Sequence, residues 1–112
     1  MSHVLVVGSI NMDQIFRLDH LPRAGETMLA GDVLTVPGGK GANQAVAAAR
    51  VGGQVRMVAR LGDDPFGRSL RMALVEAGVD VTYIKIDPTA ATGVALILLA
   101  EGGDSFRLGL GP

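Results

Sequence analysis

The run Val4-Leu5-Val6-Val7, stopped at once by Gly8-Ser9, constrains this chain more than any other segment. Four consecutive aliphatic residues without polar alternation read as a strand covered on both faces, which belongs in the middle of a sheet flanked by helices. The rest of the chain supplies the partners. Ile15 to Leu18 and Glu26 to Val36 read as strands around the turn-prone Leu21-Pro22-Arg23-Ala24-Gly25, which predicts an antiparallel pair. Gly41 to Val51 is nearly all small residues and ends at Gly52-Gly53, the pattern of a helix that approaches a sheet closely.

Val55 to Ala59 is the next strand, and Asp64-Pro65 then provides an N-cap followed by proline at the first helical position. Phe66, Leu70, Leu74 and Ala77 recur at helical spacing up to the stop at Gly78. Tyr83 to Ile86, Gly93 to Leu99 and Phe106 to Leu110 complete the strands, the last two joined by Glu101-Gly102-Gly103-Asp104. Strands alternating with helices require parallel crossovers, and strand pairs without helices require a smaller β-layer beside them. The expected class is α/β, a partial doubly wound (Rossmann-like) sheet with a small antiparallel β lid. Two helices cover only part of such a sheet, so a covering layer is missing or another chain supplies it.

Composition narrows the partners. With 10 Lys+Arg against 11 Asp+Glu the formal charge is -1, which gives no electrostatic footprint for nucleic acid or an anionic membrane. Small neutral ligands fit better. The longest apolar stretch, Val94 to Ala100, falls far short of the roughly 20 residues needed to cross a bilayer. The absence of cysteine excludes disulfides and thiolate metal sites and is compatible with a cytoplasmic address. The length of 112 residues suits one small domain but is short for an enzyme that binds both a nucleotide and a second substrate.

Two segments carry chemistry. Gly8-Ser9-Ile10-Asn11-Met12-Asp13 follows the first strand, where open α/β sheets place ligands. A carboxylate from Asp13 accepting from neighbouring hydroxyls, with the donor and acceptor of the Asn11 amide, could hold a sugar. An Asx-turn that merely reverses the chain is the competing reading. In the second segment, Gly38-Gly39-Lys40-Gly41-Ala42-Asn43-Gln44 opens a helix whose N–H groups could face a polar ligand. It is not a phosphate loop, because Leu34 and Gly41 stand where that pattern needs a glycine and a hydroxyl. The dinucleotide pattern also fails, with Gln44 in place of its third glycine.

Taken with Pro22-Arg23-Ala24-Gly25-Glu26-Thr27, Gly62-Asp63-Asp64-Pro65-Phe66-Gly67 and Thr92-Gly93-Val94-Ala95-Leu96, these segments resemble, in order, the ribokinase-like sugar kinases of the PfkB carbohydrate kinase family. The resemblance covers essentially the whole chain as the N-terminal part of that fold, residues 1–112, with lid strands at about 15–36 and 93–110. It implies that Asn11, Asp13, Gly39, Lys40 and Asn43 line a sugar pocket, with Gly38 shaping the same turn. Ala95 and Ile97 either touch the sugar or form an ordinary apolar strand face. His3 and His20 lie outside the matching segments and read as surface residues. No metal ligand and no catalytic residue is assigned.

The resemblance further implies an ATP-dependent, Mg²⁺-assisted phosphoryl transfer to a sugar hydroxyl, with ribose favoured by the match at Gly38 to Arg50. The family's late D-T-x-G-A-G-D-type segment, with its aspartate base, anion hole and most of the ATP site, has no counterpart in these residues. The expectation is therefore a truncated acceptor-binding and lid segment that does not catalyse alone and does not bind ATP or Mg²⁺ tightly. The alternatives are a non-catalytic dimerisation or weak sugar-binding module, or one half of a split enzyme. Apolar strand surface left uncovered by two helices predicts self-association, as a homodimer.

Overall fold

A computed structural model describes residues 3–111. The chain forms two sheets. The first is parallel and ordered β1-β4-β5, from β1 (His3–Val7), β4 (Gln54–Gly62) and β5 (Ile84–Asp87). The second is ordered β3-β2-β6-β7, from β2 (Asn11–Leu18), β3 (Val33–Gly38), β6 (Val94–Ala100) and β7 (Ser105–Leu110). Helices α1 (Lys40–Arg50) and α2 (Pro65–Glu76) complete the fold.

Both helices cover one face of the parallel sheet. Val55, Met57 and Leu61 alternate along β4 and join a single core with Ala42 and Ala45 of α1 and Leu70 and Leu74 of α2. Small residues on α1 let its backbone come close, as the alanine-rich sequence requires. Helix α2 starts where Asp64 accepts a hydrogen bond from the Gly67 amide, with Pro65 at the first helical position. It stops at Gly78, whose φ of +89° lets the amides of Gly78 and Val79 turn back to Val75 and Leu74.

Several expectations need correction. Val4 to Val7 is not central: β1 pairs only with β4 and forms the edge of its sheet. Nor is it covered twice, since Val6 is buried while Leu5 and Val7 are 62% and 73% exposed on the face opposite the helices. A run that is apolar throughout suits burial on both faces, but both helices of this chain lie on one. The lid sheet is mixed rather than antiparallel. Its outer pairs, β2–β3 and β6–β7, are antiparallel as expected, but β2 and β6 run parallel because both leave the first sheet at the same end.

The strand expected over Glu26 to Val36 begins only at Val33. Before it, the Glu26 carboxylate accepts from the Arg23 amide and pairs with His20 at 3.0 Å, closing a turn, and Gly31 and Asp32 bond Arg17 as a bend. Strand β2 starts at Asn11 rather than Ile15, which places both polar residues of the first segment on a strand and not in an Asx-turn. Among the described residues no helix is long and apolar enough to cross a membrane.

Candidate functional site

The two sheets meet where the chain passes between them three times, at 8–10, at 38–39 and at 88–93. Glycines allow these passages to touch backbone to backbone. The Gly39 φ is +101°, and a Cβ there would lie 2.7 Å from the Ser9 carbonyl oxygen. A Cβ on Gly41 would sit 2.8 Å from the Gly8 carbonyl carbon and the Ser9 nitrogen. The start of α1 thus lies flat against the turn that follows β1, and the Ala42 amide donates to the Ser9 carbonyl at 3.0 Å. The glycines of this helix start serve a close approach of two backbones, with one helix-start donor already committed.

This packing assembles part of the expected site. Asn11 and Asp13, two apart on β2, share a face, and the Asn11 amide donates to the Asp13 carboxylate at 2.5 Å. Asn11 is paired in register with Gly38, and the space a Gly38 side chain would need is taken by the Asp13 carboxylate. Ala95 is the register partner of Asp13 and Ile97 that of Ile15, so β6 lends an apolar border to the same face. Met12 points the other way into the core. Lys40 and Asn43 lie exposed on the first turn of α1, and neither side chain has a hydrogen bond or ion pair among the described residues. Gly38 faces Asn11 in register, Gly39 and Lys40 follow it directly in the chain, and Asn43 lies further along the first turn of α1.

A cleft of about 480 Å³ opens here, between Gly8-Ser9-Ile10-Asn11 on one side and Gly93 and Gly111 on the other, with Arg60 at its border. Of the expected site residues, Asn11 lines it. A second depression, of about 540 Å³, lies at the opposite ends of β1 and β4 beside Leu5 and Arg56, bordered by Gly53 and Gly78. Arg60 is absent from the sequence reading; its signal is a basic residue at an outward position of a buried strand. It pairs with Asp87 at 3.2 Å. The Thr89 amide and hydroxyl, with Arg60 adding to them, hold the Asp87 carboxyl below its ordinary range.

Asp64, read from sequence only as a cap, does more. Its carboxylate accepts from the Thr92 hydroxyl at 2.6 Å and the Thr92 amide at 2.8 Å, besides the Gly67 amide at 2.8 Å. The Thr92 hydroxyl, then the Thr92 amide, then Gly67 lower its pKa below the ordinary value, against a smaller opposing effect of burial. His3 is exposed, and among the described residues His20 reaches only Glu26, so both histidines stay outside the site.

A parallel α/β layer with a second sheet hinged at the carboxyl ends of its strands is a ligand-binding architecture, the ligand lying where the layers meet. The sequence pattern of the pfkB family carbohydrate kinases matches residues 1–111, and the chain belongs to that family. It is 48% identical over 106 residues to ribokinase of Bacillus subtilis, covering 95% of this chain and 36% of that protein. It is 44% identical over 102 residues to ribokinase of Lactococcus lactis, covering 90% and 34%. Among solved structures, Arabidopsis thaliana ribokinase complexed with ribose and ATP superposes with a TM-score of 0.91 at 35% identity, covering 99% of this chain and 37% of the other. Cryptococcus neoformans ribokinase in complex with ADP superposes at 0.88 with 41% identity, covering 97% and 33%. The chain therefore spans about a third of the length of the relatives it matches.

Proposed function

We propose that this chain is the sugar-acceptor and lid part of an ATP-dependent carbohydrate kinase acting in the cytoplasm, and that its sugar is ribose. The observation that carries the reading is the Asn11–Asp13 pair, held by its own hydrogen bond beside a glycine whose missing side chain makes room for the carboxylate. An ionised carboxylate accepts from adjacent sugar hydroxyls, and the amide fixes its orientation. Lys40 and Asn43, unengaged among the described residues at the start of α1, supply donors from the first layer. Ribose is favoured over other sugars by the identity to ribokinases, one of them described with ribose bound.

This reading assigns ATP and Mg²⁺ to the complete enzyme rather than to the described residues alone. Among them no three His, Cys, Asp or Glu side chains converge, and the Ala42 amide at the glycine-rich helix start is taken by the Ser9 carbonyl. The 112 residues also contain no match to the family's base and anion-hole segment. On this reading the chain by itself binds ribose weakly and does not phosphorylate it. A second reading, a homodimerisation module, draws on the exposed Leu5 and Val7 of β1 and the exposed Phe106, Leu108 and Leu110 of β7.

Calorimetric or NMR titration with ribose tests the site. Saturable binding by the parent, lost in Asp13→Ala and in Asn43→Ala, is the expected result. If both variants bind as well as the parent, the pocket assignment is wrong.

A further inference from the structure

Of the three passages between the sheets, the one at 88–93 is fastened by side chains. Thr92 is 3% exposed and is the one buried polar residue among those described. Its hydroxyl accepts from the Gly62 amide at the end of β4 (3.0 Å) and donates to Asp64 (2.6 Å), while its amide donates to the other Asp64 oxygen (2.8 Å). Capping α2 needs only the Gly67 contact. The two bonds to Thr92, 28 positions away, are surplus to that role.

Their effect continues into the lid. Gly93, the next residue, accepts from the Met12 amide at 2.9 Å, and it packs beneath Asn11, whose Cβ lies 3.4 Å from where a Gly93 side chain would begin. Met12 stands between Asn11 and Asp13. A bulkier link would not fit: a Cβ on Gly62 would lie 2.5 Å from the Ala90 oxygen and the Thr92 nitrogen. From the capped end of α2 to the polar pair of β2 the connection is thus continuous, through charge-assisted hydrogen bonds and glycine contacts.

We infer that Asp64 and Thr92 are positioning residues for the Asn11–Asp13 pair: the carboxylate fixes the start of β6 on the first sheet, and β6 fixes the start of β2. For sugar binding this rests on the proposed function of that pair. The positioning itself is a property of the chain without ligand. Hydrogen bonds to a charged group are strong enough that losing one shifts an equilibrium by about tenfold or more.

Three variants test it. Thr92→Val removes the hydroxyl at nearly constant shape, Thr92→Ser keeps it, and Asp64→Ser keeps a good helix cap but cannot hold both Thr92 groups. The readouts are ribose affinity by NMR titration and hydrogen exchange of two amides, Met12 in the lid connection and Met57 in the core. In Thr92→Val and Asp64→Ser, ribose affinity should fall about tenfold and Met12 exchange should quicken about tenfold, with Met57 protection retained. Thr92→Ser should restore both. The inference is overturned if Met12 exchange is unchanged in the first two variants, or if Met12 and Met57 quicken equally, which would mark a role in general stability. A parent that binds no ribose would overturn the sugar reading alone, and the exchange measurement would then decide the positioning by itself.

Discussion

Replacing Gly41 by alanine sets two opposed effects against each other, and the structure decides the sign. In a helix interior the change gains up to about 1 kcal/mol of propensity, and less at a helix start. Against that, the added Cβ would lie 2.8 Å from the Gly8 carbonyl carbon, 2.8 Å from the Ser9 nitrogen and 2.9 Å from the Gly8 Cα. All three are backbone atoms, in a turn held from its other side by Gly39. No flexible side chain can yield. Overpacking of this kind costs about 1–3 kcal/mol, so the net loss should be about 1–2 kcal/mol. For a domain near this size each kcal/mol moves the melting temperature by roughly 4–8 °C, which puts the fall at about 5–15 °C. Gly109→Ala is the control, since nothing lies within 4 Å of its added Cβ, and it should stay within about 0.5 kcal/mol of the parent. Urea and thermal denaturation followed by circular dichroism read both. A Gly41→Ala chain that melts at or above the parent would refute the close approach of α1 to the turn after β1.

Acid should destabilise the chain in a way that depends on Asp64. The Thr92 hydroxyl and amide and the Gly67 amide lower its folded pKa below the ordinary 3.8, so the unfolded state takes up protons first; the stability they provide is full above that value and drains as pH falls through the folded one. Glu26, Asp80 and Asp87 are lowered in the same direction, and Asp64→Asn should flatten part of the decline in urea midpoint below about pH 4, superimposable profiles being the contrary result. Self-association through the open face of the first sheet should weaken in Val7→Lys, because Val7 is 73% exposed there, without loss of monomer stability. Light scattering across a dilution series measures it, and an unaltered dimer in Val7→Lys would move the contact elsewhere, with Ile97→Asp testing the lid face.

Sequence revealed most where a residue type has one physical use. Asp64 and Pro65 opened a helix as expected, and Gly78 ended it, because a cap, a locked φ and a left-handed turn are local requirements. Helix α1 lies within one residue of its expected bounds for the same reason. The placement of Val4 to Val7 was not local: an apolar run states what a strand can tolerate, not which neighbours exist, so an edge strand with one bare face read as a central one. The direction of β2 against β6 was likewise invisible, since it follows from where two distant segments leave the first sheet. Within the candidate site, Asn11, Asp13 and Gly38 lie together, whereas the second use of Asp64 depends on Thr92 and no spacing rule links the two.

The register of the lid has a bearing on how the chain folds. Met12 faces Val94 across the parallel pair, so the middle of that sheet joins segments some eighty residues apart, with β3, α1, β4, α2 and β5 between them. Closing so long a loop becomes favourable only after the intervening chain has compacted, which places the β2–β6 pairing late and the helix contacts with β4 early. During synthesis, β2 therefore leaves the ribosome with β3 on one side and nothing on the other. Until residues 94–100 follow, that open edge is exposed to pairing with other nascent copies, and the speed at which β6 arrives sets how long the hazard lasts.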